Sequence, residues 1–167
     1  MTGKTHIAAG LCVGTATALH YNLDIYSTAT CIFLAGIASI FPDICHTKSK
    51  IGRKFPIISW LIKQFFGHRT LTHSLLFLFL IYMILHFIET PIYYMISIIY
   101  GMLSHVILDM LTPRGVRLLF PLPISIGFPI RFKTGGLLDV SLATAFGLMM
   151  VYMLFDEAFH YFFQLLM

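Results

Sequence analysis

Charge is what this sequence has least of: 11% of its 167 residues are Asp, Glu, Lys or Arg, against about 25% in a soluble domain. That shortage excludes a water-facing surface over most of the chain. Cysteine is scarce as well. Cys12, Cys31 and Cys45 make no CxxC pair, which excludes a disulfide framework and a thiolate zinc site, and Cys45, beside His46, reads as packing. No internal repeat or low-complexity tract is present. The net charge of +4 is small and the membrane topology accounts for it, so nucleic acid is not an expected partner.

What fills the sequence instead is hydrocarbon. Hydrophobic residues make up 58% of the chain, and the mean hydropathy is +0.86. The solvent for most of the surface is therefore lipid, and the chain is read as one integral-membrane domain, 1–167. The few charges bound five apolar stretches: Lys4 to Asp24, Asp24 to Asp43, Arg69 to Glu89, Glu89 to Asp109, and Asp139 to Asp156. Each is close to the roughly 17–25 residues that carry a helix across a bilayer, the last being short unless "DEAFHYFFQLLM" prolongs it along the interface. The expected fold is an all-α polytopic helical bundle of about five transmembrane helices.

Lys and Arg set the orientation. Lys48, Lys50, Arg53, Lys54 and Lys63 lie between spans two and three, and Arg114, Arg117, Arg131 and Lys133 between four and five. The loops around Asp24 and Glu89 carry no basic residue. By the positive-inside rule the amino terminus and both basic segments are cytoplasmic and the carboxyl terminus is outside. In "KFPIISWLIKQFFGHR" Ile57, Ile58, Leu61, Ile62 and Phe65 recur at helical spacing, the pattern of an amphipathic helix lying in the interface. The proline- and glycine-rich "TPRGVRLLFPLPISIGFPIRFKTGG" reads as irregular or hairpin-like structure over the cytoplasmic face.

On this topology the ligand-type residues gather at one end. His6 opens span one, Asp43 and His46 close span two, and His68 and His73 open span three. His105 and Asp109 close span four, and Asp139 opens span five. His105 and Asp109 are i, i+4 and share a helical face; Thr70 is the candidate cap of the helix whose first turn carries His73. Burying such groups in hydrocarbon is costly without compensation, and metal coordination supplies it. Imidazole with carboxylate favours zinc, manganese or iron over calcium or magnesium. Four histidines besides His6, together with two or three aspartates, exceed what one tetrahedral zinc needs, so two or more divalent ions are expected. The amino terminus, "MTGKTHIAAGLCVG", imitates a signal peptide, but cleavage would discard His6 and is not expected. His20, His86 and His160, at the outer ends, read as packing or interfacial residues, and a structural polar network is the bland alternative for the inner set.

The succession "THIAAG", "FPDICH", "HRTLTHS" and "SHVILDMLTPRG" resembles the LexA-regulated, inner-membrane metal-dependent hydrolases of the YdjM-like group, from His6 to about Thr134. Where the group's pattern is approximately PDxDH, this chain has Asp43-Ile44-Cys45-His46. The resemblance implies an inner-membrane hydrolase, and on the placement above its metal ligands would be drawn from His6, Asp43, His46, His68, His73, His105 and Asp109. Arg69 and Arg114 would then neutralise a phosphoester of a lipid or lipid-linked substrate, with Asp139 as a further ligand or a partner of an imidazole. A membrane metal-ion carrier or sensor is the alternative, and a non-enzymatic adaptor using the basic face is a third.

Overall fold

Among the described residues seven α-helices follow one another: α1 (Gly3–His20), α2 (Ile25–Ala38), α3 (Lys50–Lys54), α4 (Pro56–Phe66), α5 (Leu75–Phe87), α6 (Ile92–Met110) and α7 (Leu137–Leu166). Short 3-10 turns at Phe41–Cys45 and Leu71–His73 precede α3 and α5. The computed structural model describes residues 1–67 and 69–166, with side chains described except at Lys50, Phe66, 157–162 and 164–166. Among the described residues there is no strand, only an isolated antiparallel bridge between Val116 and Ile126.

Small residues bring α1 into backbone contact with its neighbours. A Cβ on Gly10 would lie 2.6 Å from the Ala35 carbonyl oxygen of α2, and one on Gly14 would lie 2.7 Å from that of Cys31. From the other side, a Cβ on Gly101 of α6 would lie 2.5 Å from the same Ala35 oxygen. This is small-residue packing of the kind that replaces a hydrophobic driving force between helices in lipid. α1 touches α2, α6 and α7, so it sits inside the bundle. Its interior place explains its composition: Thr5, His6, Thr15 and Thr17 are buried against protein, where lipid-facing positions would have required aliphatic side chains.

Three segments are long and apolar enough to cross a membrane: Ile25–Cys45, Ile92–Met110 and Leu137–Asp156. The other two expected spans are α1, which faces protein, and α5, which has 13 residues. At 1.5 Å per residue α5 is about 20 Å long, short of the roughly 30 Å hydrocarbon core. The fold is thus the expected all-helical membrane bundle, with the count of five a loose one. α7 runs on past Asp156 as one helix of 30 residues.

Local signals fix the ends. Asp24 caps α2, accepting from the backbone N–H groups of Tyr26 and Ser27 at 2.9 and 3.2 Å, and its contacts with Ser27 hold its carboxyl below the ordinary value. Thr70 was the expected cap of α5, but Ser74 performs that task, its Oγ accepting from Phe77 N–H at 3.2 Å. The reason lies just upstream. Thr70 has φ −110° and ψ −105°, outside the extended conformation of a capping residue, and its hydroxyl donates to the Gly67 carbonyl instead, so His73 sits in a 3-10 turn ahead of α5. α4 has the expected two faces, with Ile57 and Phe65 exposed and Ser59 buried. The segment between α6 and α7 is irregular apart from the Val116–Ile126 bridge, as its prolines and glycines dictate.

Candidate metal centre

The last turns of α6 present His105 and Asp109 on one face, both at most 1% exposed. The 3-10 turn after α2 brings Asp43 to the same place, and the turn before α5 brings His73. One donor atom from each of these four residues lies within 4.8 Å of every other. Nε2 of His73 and Nε2 of His105 are 3.1 Å apart. Oδ2 of Asp109 lies 3.4 Å from the first nitrogen and 3.7 Å from the second. Oδ1 of Asp43 lies 4.0 and 3.8 Å from the same two atoms.

These spacings can be tested against a cation. Two nitrogens bonded to a tetrahedral zinc at 2.0–2.1 Å are separated by about 3.3 Å. The separations in the cluster scatter about or just above that edge, so the donor set fits one small divalent ion. The protonation pattern fits too. Nδ1 of His105 lies 2.6 Å from the Ser39 carbonyl oxygen, to which it donates, leaving the Nε2 lone pair directed at the cluster. His73 Nδ1 is 3.1 Å from Thr72 Oγ1. With the His105 Nε2 a lone pair, the 3.1 Å contact makes the His73 Nε2 the N–H donor of the pair. That proton is the one a cation displaces.

Asp109 is the most heavily engaged carboxylate. Its Oδ1 lies 2.6 Å from the Met1 ammonium and 3.4 Å from His6 Nε2. Its Oδ2 accepts from Arg69 Nη2 at 2.9 Å, while Arg69 Nη1 donates to Thr112 Oγ1 at 2.6 Å. His6 also stacks on His105 with ring centroids 3.8 Å apart, and its Nδ1 is buried without a hydrogen-bond partner. A carboxylate so deeply buried is tolerable only with this many opposite charges and donors.

The assembly of His6, "FPDICH", "HRTLTHS" and "SHVILDMLTPRG" around one carboxylate invites comparison with known proteins. The family described as YdjM inner membrane protein matches residues 1–166. The chain belongs to that family. It is 44% identical over 135 residues to a Bacillus subtilis (strain 168) protein described as "Uncharacterized protein YvsG", covering 81% of this chain and 82% of that one. It is 37% identical over 106 residues to "Inner membrane protein YdjM" of Escherichia coli (strain K12), covering 60% of this chain and 54% of that one, and equally to the Shigella flexneri protein of the same name. No solved structure matches the chain.

Within this YdjM-family chain the remaining expected site residues are placed variously. His46 lies beside the group of four and lines a cleft of about 490 Å³ together with Asp43, Arg69, Arg114 and Lys133, its Nδ1 accepting from Lys48 N–H at 3.2 Å. His68 lies outside the described residues. Asp139 is buried, but its partners are Thr2 N–H at 3.0 Å, Gly135 N–H at 2.8 Å and the Thr5 hydroxyl rather than an imidazole. It ties the start of α1 to the start of α7, so its contribution to the centre is to hold His6 in place. Sequence reasoning missed the Ser39 carbonyl, Thr72, Thr112 and Lys133. Thr72 and Thr112 stand inside quoted motifs and were within reach, whereas a backbone carbonyl leaves no mark on a sequence. At the opposite end His20 lies edge-on to Tyr21 and His86 stacks on Tyr82, with centroids 5.1 and 6.0 Å apart. The side chain of His160 lies outside the described set.

Proposed function

We propose that this YdjM-family protein is a membrane-embedded metal-dependent hydrolase whose centre faces the cytoplasm and cleaves a phosphoester of a lipid or lipid-linked substrate. The observation that carries the reading is the convergence of Asp43, His73, His105 and Asp109 with His105 Nδ1 committed to the Ser39 carbonyl. These four residues would hold the ion, with zinc favoured and manganese or iron compatible with the donors. His6, on the far oxygen of Asp109, is placed to join a second one. When bound, such ions supply Lewis acidity for hydrolysis at neutral pH.

The chain's own residues account for the rest. Arg69 spans Asp109 and Thr112, fixing which carboxylate oxygen faces the imidazoles. Arg114 and Lys133 border the 490 Å³ cleft that opens beside Asp43, where a phosphate is neutralised. Arg69, Arg114, Arg117 and Lys133 all border the clefts at this end of the bundle, which draws anionic headgroups at about 1 kcal/mol per basic residue. A carrier would need polar groups spread along a route across the bilayer, whereas His20 and His86 are engaged with tyrosines at the far end.

Two measurements test the proposal on the purified full chain. Elemental analysis should find at least one equivalent of a divalent metal, and inner-leaflet phospholipid or lipid-phosphate vesicles should release phosphate in a metal-dependent way. Reporter fusions at Arg53 and Lys133 should read as cytoplasmic and those after Asp24 and Glu89 as external. A metal-loaded protein that moves ions between vesicles without releasing phosphate would support the carrier instead.

A further inference from the structure

Beside the main cleft lies a second, smaller basic cavity that the proposed reaction does not use. Its volume is about 280 Å³ and its lining is Arg69, Arg114, Gly115, Arg117 and Ser125, with no carboxylate among the described residues. Arg69 and Arg114 also line the larger cleft, so these two residues border both cavities. The positive-inside rule accounts for basic residues on this face, but not for three arginines around one recess free of acid.

The backbone holds these arginines in register. Arg117 N–H donates to the Arg69 carbonyl at 3.1 Å, and Val116 exchanges hydrogen bonds of 2.9 and 2.8 Å with Ile126. The turn that carries Arg114 into Val116 passes through Gly115 at φ +61°, where a Cβ would lie 2.6 Å from the Ile126 oxygen. Only glycine fits such a turn. One donor at this border is unspent: Nε of Arg69 is buried without a hydrogen-bond partner. The recess is therefore built before any ligand arrives, and planar guanidinium groups suit phosphate oxygens.

Resting on the hydrolase reading, and narrowing its scissile bond from a phosphoester to a phosphoanhydride, we propose that the smaller cavity is a second phosphate subsite and that the substrate class is a diphosphate. One phosphate occupies the cleft beside Asp43, the adjoining one occupies the Arg114–Arg117–Ser125 recess, and the bridging oxygen lies against Arg69 and Arg114. Hydrolysis of that substrate adds the oxygen of one water to the phosphorus in the cleft and breaks its bond to the bridging oxygen. The electron pair stays on the phosphate held by the arginines, and the water's protons go to the phosphate oxygens or to solvent.

The test is binding, measured by calorimetry on the full chain reconstituted in phosphatidylcholine vesicles. Methylenediphosphonate, whose P–C–P link resists hydrolysis, is compared with inorganic phosphate. The diphosphonate should bind at least about tenfold more tightly. Arg117→Gln, which keeps the backbone bond to Arg69, should remove most of that preference while leaving phosphate affinity within about twofold and metal content unchanged. Ser125→Ala should reduce the preference less. Diphosphonate affinity unaffected by Arg117→Gln would mean simple metal chelation, and equal loss for both ligands would mean general electrostatics; either result overturns the proposal. A prenyl diphosphate in the same vesicles and ADP in solution separate a lipid-borne from a soluble source: displacement of the diphosphonate by either supports the subsite, and by neither overturns it. A protein that carries no metal yet shows the Arg117-dependent preference would sink the hydrolase reading and leave the subsite standing.

Discussion

At the end of the bundle where α1 begins, Asp43, Asp109, His6, His73 and His105 lie against one another. At the other end, Asp24, Glu89, His20 and His86 use the same side-chain chemistry and make no common centre. Asp24 satisfies the first N–H groups of α2, and the two imidazoles lie against Tyr21 and Tyr82. The difference comes from packing, not from residue type. Gly10, Gly14, Ala35 and Gly101 draw α1, α2 and α6 into backbone contact, and the chain then passes through two 3-10 turns that aim Asp43 and His73 inward. A cluster of ligands forms only where three helices end together around one buried carboxylate.

The comparison breaks most visibly if Asp109 or His105 is removed. Asp109→Ala strips the partner from the Met1 ammonium, His6, Arg69 and His73 at once, leaving buried charges uncompensated. A loss of about 3–5 kcal/mol is expected if the fold survives, together with loss of bound metal. His105→Ala should abolish metal binding and hydrolysis with less effect on folding, because the Ser39 carbonyl has a neutral donor to lose. Elemental analysis and thermal melts in detergent read both quantities. Retention of full metal by both variants would reduce the centre to a structural polar network.

Arg69→Lys comes next in size. An ammonium can satisfy Asp109 or Thr112 but cannot span both as the guanidinium does at 2.9 and 2.6 Å. Metal content should persist while phosphate release falls by about one to two orders of magnitude, the scale seen when a group orienting a metal ligand is changed. A parallel fall in metal content would make Arg69 a support of the fold alone.

Much of this centre was legible because the apolar sequence makes polar residues conspicuous. His6, Asp43, His73, His105 and Asp109 stand at the ends of long oily stretches, and a topology from Lys and Arg alone sends them to one side. Residues whose role depends on close geometry were less visible. Asp139 reads like the others by position, yet Thr2, Thr5 and Gly135 consume its oxygens. Thr70 looks like a cap, yet its hydroxyl donates to the Gly67 carbonyl and Ser74 caps α5. The five expected spans were counted by hydropathy, which cannot tell that α1 is polar because protein surrounds it, or that α5 starts six residues after Arg69.

Thr72→Val offers a smaller and sharper probe. It keeps volume and β-branching while removing the oxygen 3.1 Å from His73 Nδ1. The imidazole then loses the partner that sets its ring orientation, and metal affinity should fall about 10–100-fold without loss of the protein. Metal titration against a competing chelator measures this directly. An unchanged affinity would show that packing, not the hydroxyl, orients His73.

The smallest effect is expected at the opposite end, and it is the control on which the comparison rests. His86→Gln removes a ring that stacks on Tyr82 on the exposed side of α5, and His20→Gln removes one beside Tyr21 at the end of α1. Each loses an aromatic contact of about 0.5–1.5 kcal/mol at most, and neither touches a group that reaches Asp109. Metal content, metal affinity and phosphate release should therefore match the parent protein within error, with melting temperature shifted by no more than a few degrees. Should either variant lose metal, the two ends would be coupled through α1 or α5. The carrier reading, with ions passing between an outer and an inner site, would then explain more of the molecule than a hydrolase confined to one end.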